Sequence, residues 1–282
     1  MDIVTFELTG DSSQPIHLAD SSSLDAITRQ LPAGFYSTFR TFRGGTHALG
    51  LKAHLDRLYL PAAKLGLLPS AAPANLRRGI AALLKPFRPN EARLRIMLVC
   101  EETPGLIYVA LEPLKPLPPE VYQQGVRVIT TKVQRENPTL KSTSFIADSQ
   151  HERESLAGHS AFEGLIVHNG RVLEGLTSNF FYVQEGKLCT AKRGVLNGVT
   201  RREVILAAHQ LGGEVVYRSL KLDDVGKIQE AFLTSSSRGL VPIVEVDGVR
   251  IGPGGVGRLT GRLMRAYEQD IERRVEPIGS VS

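Results

Sequence analysis

Cysteine is scarce in this chain, with only Cys100 and Cys189 among 282 residues. The two stand far apart, without a CxxC pair or a histidine at ligand spacing, which argues against a disulfide framework or a zinc site. Both read as buried structural thiols, and no metal is expected. No apolar run approaches membrane-spanning length, so no membrane partner is expected. The start, Met-Asp-Ile-Val-Thr-Phe-Glu, carries acids where a signal peptide needs a basic opening, which points to the cytoplasm. Internal repeats and biased tracts are also missing. The net charge is +5, yet the Lys and Arg residues form no stripe with interleaved aromatics, so nucleic acid is not an expected partner. A mild positive excess suits anionic small molecules equally well.

What remains is an ordinary globular composition, 42% hydrophobic and 22% charged, in a chain long enough for two cores. The first half predicts a strand at 34–43, helices at 52–65 and 74–84, and a strand at 92–100. Pro61 predicts a kink or break in the first of these helices. The proline-rich segment from Leu111 to Glu120 cannot continue a central strand or a helix interior and marks a boundary. The expected organisation is an N-terminal domain over 1–113, a linker over 114–121 and a larger β-rich domain over 122–282. In the second half, strands are predicted at 125–132, 164–168, 179–184, 213–217 and 230–234, with helices at 148–157, 200–211 and 257–272. Asn169-Gly170 is expected to join the strands at 164–168 and 179–184 as a hairpin turn.

Four places could carry chemistry. Lys141 is the only ionisable residue between Asn137 and Ala147. Few local charges keep it protonated, and a neutral amine is what a Schiff base requires; the alternative is an ammonium on a solvated loop. Glu174 is the only charged residue between Arg171 and Glu185, amid apolar neighbours, so it needs a cationic partner. A protonated pyridine nitrogen and an unseen arginine both satisfy that need. The run Val195-Leu-Asn-Gly-Val-Thr-Arg-Arg-Glu203 puts a glycine turn before a helix, with Thr200-Arg-Arg-Glu203 fitting a capping box. Its free amides suit a phosphate, or it is simply a capped helix. Finally, Thr234-Ser-Ser-Ser-Arg238 offers hydroxyls after a strand, as a second phosphate contact or a polar loop.

Taken in order, these pieces resemble the class IV aminotransferases, the fold type IV pyridoxal-phosphate enzymes that include branched-chain and D-amino acid aminotransferases and aminodeoxychorismate lyases. The resemblance rests on Phe35-Tyr-Ser-Thr-Phe-Arg40, His54-Leu-Asp-Arg-Leu58, Asn137-Pro-Thr-Leu-Lys-Ser-Thr143, Val172-Leu-Glu-Gly-Leu-Thr-Ser-Asn-Phe-Phe181, Leu196-Asn-Gly-Val-Thr-Arg201 and Phe232-Leu-Thr-Ser-Ser-Ser237. It implies a two-domain α+β (mixed α/β) homodimer with pyridoxal 5′-phosphate between the domains. Lys141 would carry the cofactor as a Schiff base and Glu174 would pair with its ring nitrogen. Arg57, the Gly198-Val199-Thr200 turn and Ser236 would hold the phosphate, with Asn179 beside the ring. Tyr36, Thr38, Arg93, Arg95 and Ser237 are the expected substrate contacts.

The implied reaction moves an amino group from an amino acid to a 2-keto acid. Lys141, displaced by the substrate amine, would shift the proton from Cα, with Glu174 keeping the ring nitrogen protonated. Three departures from the family's pattern stand out. Ser37-Thr38 replaces a common acid and looks more like the lyase, which would release pyruvate and 4-aminobenzoate. Phe145 stands at the nearest match to a tyrosine that bonds the ring oxygen. Arg93-Leu-Arg95 replaces a Tyr-x-Arg pair. Residues two apart on a strand share a face, so both arginines could reach a carboxylate, or both could be solvated. A binding protein without turnover is a third reading.

Overall fold

The computed structural model describes residues 3–279 as two compact units. The first runs to Lys115 and takes in Leu140–Ala147 and the segment from Arg273 on; the second holds Pro116–Thr139 and Asp148–Glu272. The boundary falls inside the proline-rich segment. A single cut at 114–121 differs from this arrangement in two places, because Lys141 and the end of the chain belong to the first unit.

The first unit is built on an antiparallel seven-stranded sheet. Its order is Val275–Pro277, His47–Leu49, Gly34–Phe42, Ala92–Val99, Ile107–Pro113, Val4–Thr9 and Ser12–Ile16. Alternation along Gly34–Phe42 divides it into two faces. Phe35 and Phe39 join Leu94, Ile96, Leu98, Val109 and Leu111 in a core closed by Leu51, Leu55 and Leu58 of helix Leu51–Lys64 and by Leu76 and Ile80 of helix Pro73–Leu83. Each fully buried leucine or isoleucine contributes about 1.5–3 kcal/mol. On the opposite face Tyr36, Met97, Tyr108 and Ala110 pack with Leu24 and Ile27 of helix Leu24–Arg29 and with Ile146. Helix Leu51–Lys64 runs on through Pro61 to Lys64 without a break. The proline lies in the last turn, where few hydrogen bonds remain to be lost.

The second unit centres on a mixed ten-stranded sheet, six strands of which close on themselves. Around that ring run Asn179–Gln184, Glu230–Ser235, Gly239–Val246, Val126–Thr131, Glu163–His168 and Arg171–Gly175, with Asn179 pairing back to Glu174. Val126–Thr131 lies parallel to both neighbours, which demands a long crossover, and helix Gln150–Gly158 sits in that connection. Asn169 and Gly170 both adopt positive φ, as a two-residue hairpin turn requires. They join Glu163–His168 to Arg171–Gly175, a strand not expected from the sequence, and not to Asn179–Gln184. Ile107–Pro113, Gly239–Val246 and the N-terminal hairpin of Val4–Thr9 and Ser12–Ile16 were likewise unanticipated. Cys189 is buried and Cys100 half-buried, both free thiols, so the expectation of two buried thiols holds only for Cys189.

Candidate active site

In the first unit, Lys141 is tied to the start of the strand Gly34–Phe42. Its carbonyl accepts Tyr36 N at 2.9 Å, Thr143 N donates to Gly34 O at 2.9 Å, and Gly34 N donates to Thr143 Oγ1 at 2.9 Å. A side chain at 34 would overlap the Leu98 carbonyl, so only glycine lets this segment in. Lys141 is half-buried, with Nζ 4.6 Å from the centroid of the Tyr36 ring. The ammonium is therefore neither fully hydrated nor enclosed.

Arg57 is half-buried on helix Leu51–Lys64, one turn beyond His54. His54 is wholly buried, with Nδ1 2.8 Å from Ser37 Oγ and its ring 4.6 Å from that of Phe39. That contact fixes the rotation of the helix and so the direction from which Arg57 leaves it.

Arg93 and Arg95 do share a face with Tyr36 and Thr38, as the register Thr38↔Arg95 and Arg40↔Arg93 requires, yet each is engaged. Arg93 pairs with Glu112 at 2.8 Å. Arg95 donates Nε to Thr38 Oγ1 and Nη1 to Leu24 O and Thr28 Oγ1, and its Nη2 pairs with Asp25 at 2.7 Å. Its guanidinium also stands 4.7 Å from the Tyr36 centroid. Of the five N–H donors of an arginine, four are committed to acceptors within the chain. These bonds pin helix Leu24–Arg29 to the sheet and leave one N–H of the side chain expected to receive a carboxylate.

In the second unit, Glu174 and Asn179 flank the tight turn at 175–178, closed by Gly175 N donating to Ser178 O at 2.8 Å. Glu174 is buried, and its cationic partner here is Arg135, Nε to Oε1 at 2.8 Å. The other carboxylate oxygen accepts Asn179 Nδ2 at 3.0 Å and Leu196 N at 2.9 Å. Asn179 Nδ2 also donates to Leu196 O at 2.8 Å. A Cβ on residue 198 would overlap Asn179 Oδ1, which explains the glycine of Leu196-Asn-Gly-Val.

Helix Val199–Gln210 is capped by Gly198, with no side-chain cap hydrogen bond. Thr200 therefore sits inside the helix and not at its cap, and the expected capping box does not form. Thr200 is 2% exposed and its Oγ1 has no partner among the described residues. A buried hydroxyl without a partner, beside the unsatisfied first amides of a helix, is a donor set for an anion. The residues present thus fit a phosphate. Arg201 follows, Nη2 donating to Ala191 O at 2.9 Å, and burial pushes its guanidinium down from its ordinary value. Ser236 and Ser237 lie half-buried in the turn between Glu230–Ser235 and Gly239–Val246.

Arg135 and Glu163 escaped the sequence reading, and Arg238 entered it only as the end of the Thr234–Arg238 segment, with no role of its own. Arg135 stands in Gln134-Arg135-Glu136, an unremarkable polar stretch. Glu163 is buried, and burial alone would push its carboxyl up, but Arg238 beside it and the hydrogen bonds from Thr177 outweigh that and hold it below its usual value. No helix among the described residues is long and apolar enough to cross a membrane.

The fold is shared with solved aminotransferases. A structure from Thermotoga maritima, assigned as a branched-chain amino acid aminotransferase, superposes with a TM-score of 0.79 at 26% identity, covering 96% of each chain. A branched-chain amino acid aminotransferase from the organism abbreviated T.th., solved with pyridoxamine 5′-phosphate, gives a TM-score of 0.82 at 22% identity, covering 99% of each. By sequence, the chain is 32% identical to a Methanocaldococcus jannaschii protein assigned as a branched-chain-amino-acid aminotransferase, over 83% of this chain and 86% of that one. It is 26% identical to the D-alanine aminotransferase of Bacillus licheniformis, over 86% and 89%. The chain belongs to the amino-transferase class IV family, whose model matches residues 34–246. It is a pyridoxal-phosphate-dependent aminotransferase moving amino groups between amino acids and 2-keto acids. The lyase alternative is not favoured, since the relatives are aminotransferases.

Proposed function

We propose that the chain's own residues divide the work of transamination as follows. Lys141 Nζ would hold the cofactor through its aldehyde group and, once displaced by the substrate amine, would carry the proton taken from the substrate Cα. Glu174 would pair with the ring nitrogen and keep it protonated. Asn179 and the Leu196 amide hold the carboxylate still for that contact, and Arg135 supplies its counter-charge. Arg57, the amides of Val199 and Thr200, and the hydroxyls of Thr200 and Ser236 hold the phosphate, with Gly198 admitting Asn179. When bound, pyridoxal phosphate supplies the electron sink for charge developing at Cα. Tyr36, Thr38, Arg93 and Ser237 receive the substrate. The observation that carries this reading is the buried Thr200 hydroxyl left without a partner among the described residues, at a helix start that has no side-chain cap hydrogen bond.

The substrate class follows the relatives, which are named for branched-chain amino acids and for D-alanine. A half-reaction screen decides between them: cofactor-loaded protein is mixed with L-leucine, L-valine or D-alanine alone, and loss of the cofactor's carbonyl-form absorbance is followed. Bleaching by one set, restored by pyruvate or 2-oxoglutarate, supports the reading. No bleaching by any amino acid, with release of 4-aminobenzoate from aminodeoxychorismate, overturns it. The exposed Leu60, Leu65 and Leu68 suit burial in a homodimer, which sedimentation at graded concentrations tests.

A further inference from the structure

Glu163, at the head of strand Glu163–His168, ties together two turns that are distant in sequence. Its Oε1 accepts Thr177 N at 2.6 Å, Thr177 Oγ1 at 2.9 Å and Ser178 Oγ at 3.1 Å, all from the turn between Glu174 and Asn179. Its Oε2 accepts Arg238 Nη2 at 2.7 Å. Arg238 comes from the other turn, the one that contains Ser236. The same Nη2 donates to Thr177 Oγ1 at 2.6 Å, and Nε donates to Ser235 Oγ at 3.2 Å. The guanidinium stands 5.2 Å from the centroid of Phe162, and the Arg238 carbonyl accepts Tyr122 OH at 2.9 Å. Gly175 belongs to the arrangement too, because a side chain there would overlap Ser178 Oγ.

Burying a carboxylate against a guanidinium is a poor way to gain stability, since desolvation offsets most of the attraction. It does impose geometry, because the bonds form only when both turns keep their relative positions. We infer that Glu163 and Arg238 form a clamp setting the distance between the turn flanked by Glu174 and Asn179 and the turn presenting Ser236 to the cofactor phosphate. The inference rests on the assignment of Ser236 made under the proposed function. Arg238 is thus a positioning residue that acts through Ser236.

The clamp is tested on full-length protein stripped of cofactor and titrated with pyridoxal 5′-phosphate and, separately, with pyridoxal, which lacks the phosphate. Arg238→Gln leaves Glu163 its bonds to Thr177 and Ser178 but cuts the tie to the Ser236 turn. It is expected to weaken pyridoxal phosphate binding on the order of tenfold while changing pyridoxal binding less than about twofold, as loss of one charge-assisted phosphate contact would. Arg238→Lys, which keeps a cation for Glu163, recovers most of the loss. Ser236→Ala shows the same phosphate-selective weakening, and the double variant is no worse than either single one. Equal weakening of both ligands by Arg238→Gln would mean general loosening and overturn the clamp, as would no weakening at all. If Ser236→Ala weakens the phosphate ligand selectively and Arg238→Gln does not, the clamp alone falls. If Ser236→Ala has no selective effect, the phosphate assignment falls and the clamp with it.

Discussion

Replacing Arg135 with methionine isolates one term of the site. The change keeps most of the buried stem and removes the cation. Arg135 and Glu174 are 2.8 Å apart with side chains 5% and 2% exposed, so neither charge has bulk water to fall back on. Glu174 would keep Asn179 Nδ2 and the Leu196 amide on one oxygen and lose the charge-assisted bond on the other. Breaking a buried pair from one side costs about 3–5 kcal/mol, because the remaining charge loses its hydrogen-bonded counter-charge. For a unit of this size that corresponds to a fall in the unfolding midpoint of roughly 6–20 °C, readable by calorimetry on cofactor-free protein. Adding Glu174→Gln to the same chain tests the reasoning. The carboxamide oxygen can take over the donors of Asn179 and Leu196, while its NH2 turns to the side Arg135 occupied, and no stranded charge remains. The double variant should therefore be more stable than Arg135→Met alone. A loss below about 1 kcal/mol in the single variant, the range of solvent-exposed pairs, would refute the argument. So would a double variant less stable than the single one.

Borohydride treatment of the cofactor-loaded enzyme should fix the label on Lys141 in peptide mapping, and a label on Lys132 would remove Lys141 from its role. Arg95→Ala should lower the unfolding midpoint by freeing helix Leu24–Arg29; a selective rise in KM for donor and acceptor with stability unchanged would restore Arg95 as a carboxylate receiver. Gly198→Ala should cut cofactor affinity by displacing Asn179, and retention of full affinity would show that Asn179 is not needed in place. Glu163 has its carboxyl held below the ordinary value, so the folded state binds fewer protons than the unfolded one. Its contribution is complete above the ordinary carboxylate value of the unfolded chain and is lost as pH falls through the lower folded value. The stability gap between wild type and Glu163→Gln should be level near neutrality and shrink in acid; a gap that widens in acid would contradict the sign.

Local pattern was enough for much of this protein. Alternation in Phe35-Tyr-Ser-Thr-Phe39 separates the core face of its strand from the face carrying Tyr36 and Thr38, because strand geometry repeats every two residues. The isolation of Lys141 and of Glu174 among apolar neighbours marked them, since a lone ionisable group in such a setting needs a special partner. What the chain order could not settle was who that partner is. Arg135 lies 39 residues from Glu174, and Arg238 lies 75 from Glu163; pairs at such separations leave no periodic trace and exist only once the strands are in register. The two arginines of Arg93-Leu-Arg95 were correctly placed on one face, but their occupation depended on Glu112 across the sheet and on a six-residue helix packed over it. The tertiary structure alone decided that Arg95 holds a helix, because the free valence of a side chain is set by whatever the fold brings against it.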